Sequence, residues 1–242
     1  MEWQAPAVVL DARPHGESGA LVTLLTEAHG RHAGLAKGGA SRAQAPIWLT
    51  GNLVEARWVA RLAEQLGALS GELVHPAAAL AMEDPLALAV LRAATATAEA
   101  ALPEREPHPR AFHGLVAVIA RLADSAAAAL PDLVRWETEV LAELGYGLDL
   151  TACAVTGVRE DLRFVSPRSG RAVSGAAAGE WRDRLLPLPS FLLGQGPAGP
   201  AEWLAGLRLT GHFLARDVFG TQHRGTPAAR DALVERVAAL AG

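Results

Sequence analysis

The chain has 242 residues, of which 50% are hydrophobic and 20% charged, and its formal net charge is −4. This size permits one large or two modest domains, and the composition excludes an intrinsically disordered chain. The single cysteine excludes a disulfide framework and any metal site built only from cysteines. No apolar run reaches the roughly 18 residues of a membrane span. We therefore expect a cytoplasmic protein with no signal peptide and no membrane partner.

The first 75 residues have the pattern of short β-strands separated by turns. In one segment, Val54, Ala56 and Trp58 alternate with Glu55 and Arg57, as in a strand with one buried face. The predicted strands are 7–13, 20–26, 31–37, 52–61 and 67–74. Several short strands joined by turns favour a small closed barrel, which we assign to residues 1–78.

Beyond Pro76 the pattern becomes helical, and we assign residues 79–242 to a second domain. The positions of proline and of apolar residues predict helices at 84–102, 109–130, from Pro131 onward, 200–218 and 226–240. Residues 149–190 form an irregular insert in which 162–166 and 171–174 are candidates for a hairpin. The predicted fold class is α+β, a barrel followed by a mostly helical domain.

Cationic residues are concentrated in two stretches although the net charge is negative. Residues 28–61 hold five cations against Glu55, and residues 206–230 hold four against Asp217. Such segregation allows local basic faces to bind phosphate while the rest of the surface stays acidic. The abundance of arginine is not itself informative, because Lys37 is the only lysine in an alanine-rich chain.

The predicted strands place some of these cations on shared faces. Arg57 and Arg61 lie on one face of the fourth strand, and Arg31 and Lys37 on one face of the third. A cationic groove of this kind is how small barrels follow the backbone of a single strand. Charges also alternate on every half-exposed strand, so ordinary solvated side chains explain the pattern equally well. We assign Trp58 to the core because it lies on the apolar face.

No catalytic or metal signature is visible. Cys153 is followed by Thr156 where a C-x-x-C knuckle needs a second thiolate, and the rest of the insert has no Cys or His. We therefore expect a buried, unreactive thiol and no metal or other cofactor. His212 and His223 match no metal-binding spacing, and nothing resembles a nucleophile elbow. We expect no enzymatic activity.

With these segments placed, the chain resembles the RecO family of bacterial recombination and DNA repair proteins over nearly its full length. The most extended matches are GESGALVTLLT at 16–26 and WETEVLAELGY at 136–146. Shorter ones occur at 7–10, 29–31, 36–38, 49–52, 148–150, Cys153, Gly157 and 164–167. Each fragment is weak alone, and their order and spacing are what make the resemblance specific.

The resemblance implies an N-terminal OB-fold and a helical C-terminal domain. It implies binding of single- and double-stranded DNA, annealing of complementary strands, and loading of recombinase onto strands coated by single-stranded DNA-binding protein (SSB). The implied protein partners are RecR and the C-terminal tail of SSB. Some members carry a four-cysteine zinc site in the insert, and the departure at Thr156 removes that expectation here.

The resemblance also directs attention to particular residues. The expected DNA contacts on the barrel are Arg31, Lys37, Arg42, Arg57 and Arg61, with Arg13 as a weaker one. A short acidic tail ending in a carboxylate would suit an apolar groove with a cation at its rim. For that groove the expected residues are Arg208, Phe213, Leu214 and Arg216. An ordinary packed helix would account for the same residues.

Two other functions remain open on the sequence alone. One is a small helical enzyme, such as a transferase, that uses a pocket between the domains. The other is a barrel adaptor that binds only protein. Measuring the binding of single-stranded DNA across a salt series separates the DNA-annealing function from these two alternatives.

Overall fold

The computed structural model describes residues 1–62, 65–196 and 198–242. Its N-terminal part is a closed barrel with strand order β1-β2-β3-β5-β4, which confirms the predicted OB-fold. The strands are β1 (Glu2–His15), β2 (Gly19–Thr26), β3 (Gly30–Ala36), β4 (Leu53–Val59) and β5 (Gly67–His75). All neighbouring pairs are antiparallel except β3 and β5, which close the barrel in parallel.

β1 is longer than the sequence predicted because it serves two neighbours in succession. Its residues 2–8 pair with β4, and its residues 7–15 pair with β2. Pro6 and Pro14 therefore lie in stretches that have a partner on one side only. A proline is tolerated in a strand where its missing N–H faces no partner.

The barrel interior is filled by the inward residues of these strands together with Trp48 of the β3–β4 loop. Trp58 is 2% exposed, as predicted, and donates from Nε1 to Ala33 O at 3.2 Å. A Cβ on Gly67 would lie 2.3 Å from the Trp58 ring, and one on Gly34 would lie 3.1 Å from it. Glycines at the parallel β3–β5 contact therefore leave room for the indole.

The C-terminal part is mostly helical. The helices are α1 (Ala77–Ala81), α2 (Pro85–Ala101), α3 (Pro109–Leu122), α4 (Ala126–Glu143), α5 (Gly175–Ala178), α6 (Pro200–Phe213) and α7 (Ala228–Ala241). Asp84 caps α2 by accepting from Leu86 N at 2.8 Å. After α6 the chain continues through a π-helical turn at Leu214–Phe219. Among the described residues this makes seven α-helices.

The boundary between the second and third long helices differs from the prediction. The sequence suggested one helix over 109–130 and a new start at Pro131, whereas the break lies at 123–125. Ser125 caps α4 by accepting from Ala128 N at 3.1 Å, and Pro131 lies inside the helix. A side-chain cap satisfies a free N–H at the helix start, and here it marks the boundary better than proline does.

The insert forms a small sheet with strand order β7-β6-β8. The strands are β6 (Leu162–Val165), β7 (Ala172–Ser174) and β8 (Leu186–Pro187). The first two are the predicted hairpin, and β8 adds a third strand that the sequence did not indicate.

The helices have a hydrophobic core that is separate from the barrel interior, and the outer face of the barrel contributes to it. Val8, Leu10 and Leu25 point out of the barrel and are buried in the cluster that includes α2, α3 and α4. One side of the barrel is thus covered by helices. A predicted DNA contact on that side is consequently not free.

Candidate nucleic-acid interface

The barrel has two open rims, and the predicted cations are divided between them and its walls. The loop rim is formed by residues 16–18 and 37–48, joined by a hydrogen bond from Ala40 N to Ser18 O of 2.9 Å. The N-terminal rim is formed by Met1, residues 27–29 and residues 60–62. Met1 and Ala60 are joined there by hydrogen bonds of 2.6 and 2.9 Å.

Lys37 and Arg42 lie on the loop rim, where both side chains are exposed. Neither takes part in an ion pair with another described residue. Arg13 lies near the same rim, two residues before the end of β1, but its Nε contacts Asp11 at 2.6 Å. Arg13 Nη2 also lies 3.9 Å from Glu99 Oε1. The loop rim therefore carries two cations without an ion pair and one, Arg13, that is near two carboxylates.

Arg57 is positioned on the outer wall of the barrel and is bound to a carboxylate. Its Nε donates to Glu2 Oε1 at 2.7 Å, and the pairing raises the pKa of Arg57 and lowers that of Glu2. Glu55 and Glu72 face each other across β4 and β5 in the adjoining register. Cross-strand neighbours lie within interaction distance, so this wall is acidic overall. Sequence reasoning counted Glu55 as the only acid near these cations. The strand pairing that brings Glu2 on β1 and Glu72 on β5 to the same wall could not be predicted from the sequence.

Arg31 faces the helical domain instead of an open groove. It lies opposite Leu25 on β2, and its Nε donates to Leu102 O at 2.8 Å. Its backbone carbonyl accepts from Arg105 N at 2.8 Å. With Tyr146, Asp217 and Arg224, among other residues, it lines a cavity of about 340 Å³ between the domains. Arg31 and Arg57 thus lie on different parts of the barrel, and the six predicted cations do not form one continuous track.

Arg61 lies at the N-terminal rim, one residue beyond the backbone contact between Ala60 and Met1. The structure adds Arg105, which sequence reasoning missed because it lies in the connection between α2 and α3. A Cβ on Gly30 would lie 2.0 Å from Glu106 O, so this connection packs directly on the β2–β3 turn. Arg105 adopts a left-handed backbone conformation with φ of 59°.

The N-terminal rim also contains a cluster of aromatic rings that the sequence did not reveal. The Trp3 ring stacks on His29 with centroids 4.7 Å apart and on Trp58 at 6.1 Å. His32 approaches Trp3 and Trp58 edge-on at 5.3 and 4.7 Å. The two histidines on either side of Gly30 were the only sequence signal for this cluster. Trp3 was not connected with them because the predicted first strand began at residue 7.

The same rings line a cavity of about 430 Å³ that also involves Met1, Glu2, Ala28 and Arg105. His32 is 7% exposed, and neither of its ring nitrogens has a hydrogen-bond partner among the described residues. Trp3 Nε1 is likewise buried without a described partner. Burial lowers the pKa of His32, and the nearby Arg105 charge lowers it further. The His29 backbone lies close enough to raise this pKa slightly, although its geometry falls short of a hydrogen bond. All three nitrogens are closed off from the open cavity, and Trp48, Thr97, His108 and Trp203 hold similar unbonded atoms elsewhere in the described residues.

The partner groove expected around α6 is not open. Phe213 and Leu214 are 1% and 0% exposed and belong to the core, so neither lines a surface groove. Arg216 lies 4.9 Å from the Phe213 ring, pairs with Asp217 and donates to Pro167 O. Arg208 is exposed near α7. The apolar residues that suggested a groove are the ones that pack α6 into the bundle, and a partner contact at Arg208 and Arg216 stays a prediction.

The insert is held without thiolate ligands. Cys153 is 2% exposed, and its Sγ accepts from Ser174 N at 3.3 Å. Burial raises the pKa of this thiol, but hydrogen bonds from Ser174 and Thr156 outweigh that effect and lower the pKa to about 6. The residues present do not fit a zinc site, because Thr156 replaces a ligand and zinc needs four donors. Within the described residues, no three His, Cys, Asp or Glu side chains are grouped to hold a metal.

No helix in the described ranges is both long and apolar enough to cross a membrane.

Two family models match the chain: Recombination protein O N terminal over residues 1–77 and Recombination protein O C terminal over residues 82–226. The chain is 57% identical to a DNA repair protein RecO of Granulibacter bethesdensis, covering 99% of this chain and 97% of that protein. It is 58% identical to the RecO protein of Acidiphilium cryptum, covering 98% and 96% of the two chains.

Proposed function

Because this chain belongs to the RecO family of DNA repair proteins, we propose that it binds single- and double-stranded DNA through its barrel and anneals complementary strands. We further propose that it helps load recombinase onto SSB-coated strands, acting with RecR and the SSB tail in the cytoplasm at the nucleoid. These steps require no bond making. The protein acts in them by binding and release.

The observation that carries DNA binding is the pair Lys37 and Arg42 on the loop rim, exposed and without a described carboxylate partner. An OB barrel holds oligonucleotides on the face of its second and third strands and on its β1–β2 and β4–β5 loops. The β3–β4 connection that carries Lys37 and Arg42 is hydrogen-bonded to the β1–β2 turn through Ala40 N and Ser18 O. A cation in an ion pair must break that pair before it can bind phosphate. Lys37 and Arg42 have no ion pair among the described residues to break. We therefore propose that these two residues supply phosphate contacts, with Arg61 at the opposite rim and Arg13 as a weaker contributor.

Arg31 and Arg57 are left out of this proposed contact set. Arg31 donates to Leu102 O at the domain interface, and Arg57 is bound to Glu2 on an acidic wall.

Annealing needs two polyanions brought together with their repulsion screened. A few exposed cations suffice for such reversible, sequence-neutral binding, whose strength falls with salt.

The test is the salt dependence of oligonucleotide binding. For a single strand, log K falls with log salt by roughly 0.7 per phosphate contact. We expect Lys37→Ala with Arg42→Ala to reduce that slope by about 1.4, since two contacts are lost. Arg57→Ala is the matched control and should change the slope much less. An unchanged slope in the double variant, or a larger change in Arg57→Ala, would contradict the proposed placement.

Annealing is tested with two complementary labelled oligonucleotides. Wild-type protein should accelerate duplex formation at low salt, and the double variant should do so less. If the wild-type protein binds neither strand at low salt, the proposed DNA function is wrong and the adaptor alternative is favoured.

A further inference from the structure

We propose that the cavity between the barrel and the helical domain, lined by Arg31 and Arg224, is an anion site that holds one phosphate group of bound DNA. This inference rests on the proposed DNA binding. It adds a phosphate contact at the domain interface, separate from Lys37 and Arg42 on the loop rim.

The first argument is the construction of this interdomain cavity from both parts of the chain. Arg31 comes from β3 of the barrel, and the end of α2, the residues after α4 and the segment 217–224 supply the other walls. Its volume of about 340 Å³ is far above the roughly 30 Å³ that one water molecule occupies in the liquid. A phosphate group therefore has room to enter, and it would contact both domains.

The second argument is the charge balance of the lining. Arg31 and Arg224 contribute two positive charges, and Asp217 is the one carboxylate among the described lining residues. Both oxygens of Asp217 are already bound by Arg216, each at 2.6 Å, so this carboxylate is neutralised from outside the cavity. The C-terminal end of α2 adds the equivalent of about half a negative charge. The lining as a whole stays cationic.

The third argument is that the guanidinium of Arg31 is only partly used. Its Nε donates to Leu102 O, which orients the group, while its two terminal nitrogens have no hydrogen-bond partner among the described residues and are not buried. Arg31 itself is partly buried. Taking a charge partly out of water without a counter-ion costs free energy, and a bound anion would recover it. The planar fork of N–H donors matches the oxygens of a phosphate.

The fourth argument is the unusual backbone of the wall that carries Arg224. This wall includes the π-helical turn at Leu214–Phe219, and it is followed by His223 with a left-handed φ of 54°. Both features are frequent at functional sites. The Arg224 N–H donates to Phe219 O at 2.9 Å, which ties this arginine to the end of the turn.

The main test is the salt dependence of oligo-dT binding by Arg224→Gln. Arg224 is exposed, so its replacement should leave the fold intact. We expect the slope of log K against log salt to fall by about 0.7, the value for one lost phosphate contact on a single strand. Arg236→Gln is the matched control, because it removes one exposed charge from α7 outside the cavity. Equal slopes in wild type and Arg224→Gln would overturn the proposal.

A second test uses inorganic phosphate and needs no DNA. A ligand that binds only the folded chain raises its melting temperature, so phosphate should stabilise wild type more than chloride does at the same ionic strength. This difference should shrink in Arg224→Gln and persist in Arg236→Gln. General exclusion of phosphate from protein surfaces stabilises all variants alike. The same difference in all three proteins would therefore refute the anion site.

The two proposals fail in different ways. A reduced slope in the Lys37/Arg42 double variant with a wild-type slope in Arg224→Gln refutes the interdomain site and leaves DNA binding intact. The reverse pattern keeps the interdomain site and removes the loop-rim contacts. Stabilisation by phosphate that depends on Arg224, without any change in the DNA slope, would show that the cavity takes free phosphate and not the DNA backbone. A wild-type protein that binds no DNA removes the proposed function itself.

Discussion

Arg230 and Glu137 form a buried ion pair with two hydrogen bonds, Nε to Oε1 at 2.7 Å and Nη2 to Oε2 at 2.9 Å. Their side chains are 3% and 0% exposed. Nη2 also donates to Leu207 O at 2.7 Å, and Thr210 contacts the same carboxylate. The pair therefore connects α4, α6 and α7, and neither charge has access to water.

Arg230→Met should destabilise the protein by about 3–5 kcal/mol, because the Glu137 charge is left buried without its partner. The double variant Arg230→Met with Glu137→Leu should recover most of this loss, since no buried charge remains. Urea unfolding measures both. Arg236→Met, an exposed position on the same helix, is the control. A double variant as unstable as the single one would show that the geometry of the pair, not its charge, matters.

Stability should decrease as the pH falls below about 6.5, and His32 should contribute to this decrease. Its pKa is lowered in the folded state from 6.5 by burial and by the Arg105 charge, against smaller raising effects of the His29 backbone and of Glu104. The unfolded chain thus binds a proton that the native chain does not, and stability falls toward acid by at most about 1.4 kcal/mol per pH unit.

The measurement for this pH effect is the free energy of unfolding at pH 7.5 and pH 5.5. The difference between the two should be smaller in His32→Phe than in wild type. His29 acts in the same direction, since burial lowers its pKa too, and so a residual dependence is expected. An identical difference in wild type and variant would contradict the assignment.

The Cys153 thiol should ionise near pH 6, because hydrogen bonds from Ser174 and Thr156 lower its pKa more than burial raises it. Absorbance at 240 nm reports this directly, since the chain has one cysteine. Thr156→Val should raise the midpoint by removing one hydrogen bond. Cys153→Ser provides the baseline. A wild-type midpoint above pH 8 would be inconsistent with these hydrogen bonds.

Gly67→Ala should destabilise the barrel by about 1–3 kcal/mol, the usual cost of forcing a methyl group into a packed core. The new Cβ would lie 2.3 Å from the Trp58 ring. Thermal unfolding followed by tryptophan fluorescence measures the loss. Ala68→Ser changes the exposed neighbouring residue and should have little effect. Equal stability of Gly67→Ala and wild type would mean that the β3–β5 contact can open without cost.

Local patterns in the sequence determined the barrel and most of the helices. The alternation of Val54, Ala56 and Trp58 marks a buried face because side chains alternate across a strand. The helix starting at Asp84 was identified from its cap and proline. Pro131 was misleading because the sequence alone did not show that Ser125 already caps that helix.

What depended on pairing between distant segments was decided only by the tertiary structure. The register of β1 on β4 brings Glu2 to Arg57, and domain packing brings Leu102 to Arg31, which removes both cations from an open groove. Barrel closure likewise assembles Trp3, His29 and His32 from separate strands and a turn. Periodicity reports which face a residue takes, but charge pairing and cavity walls depend on neighbours that are far away in the chain.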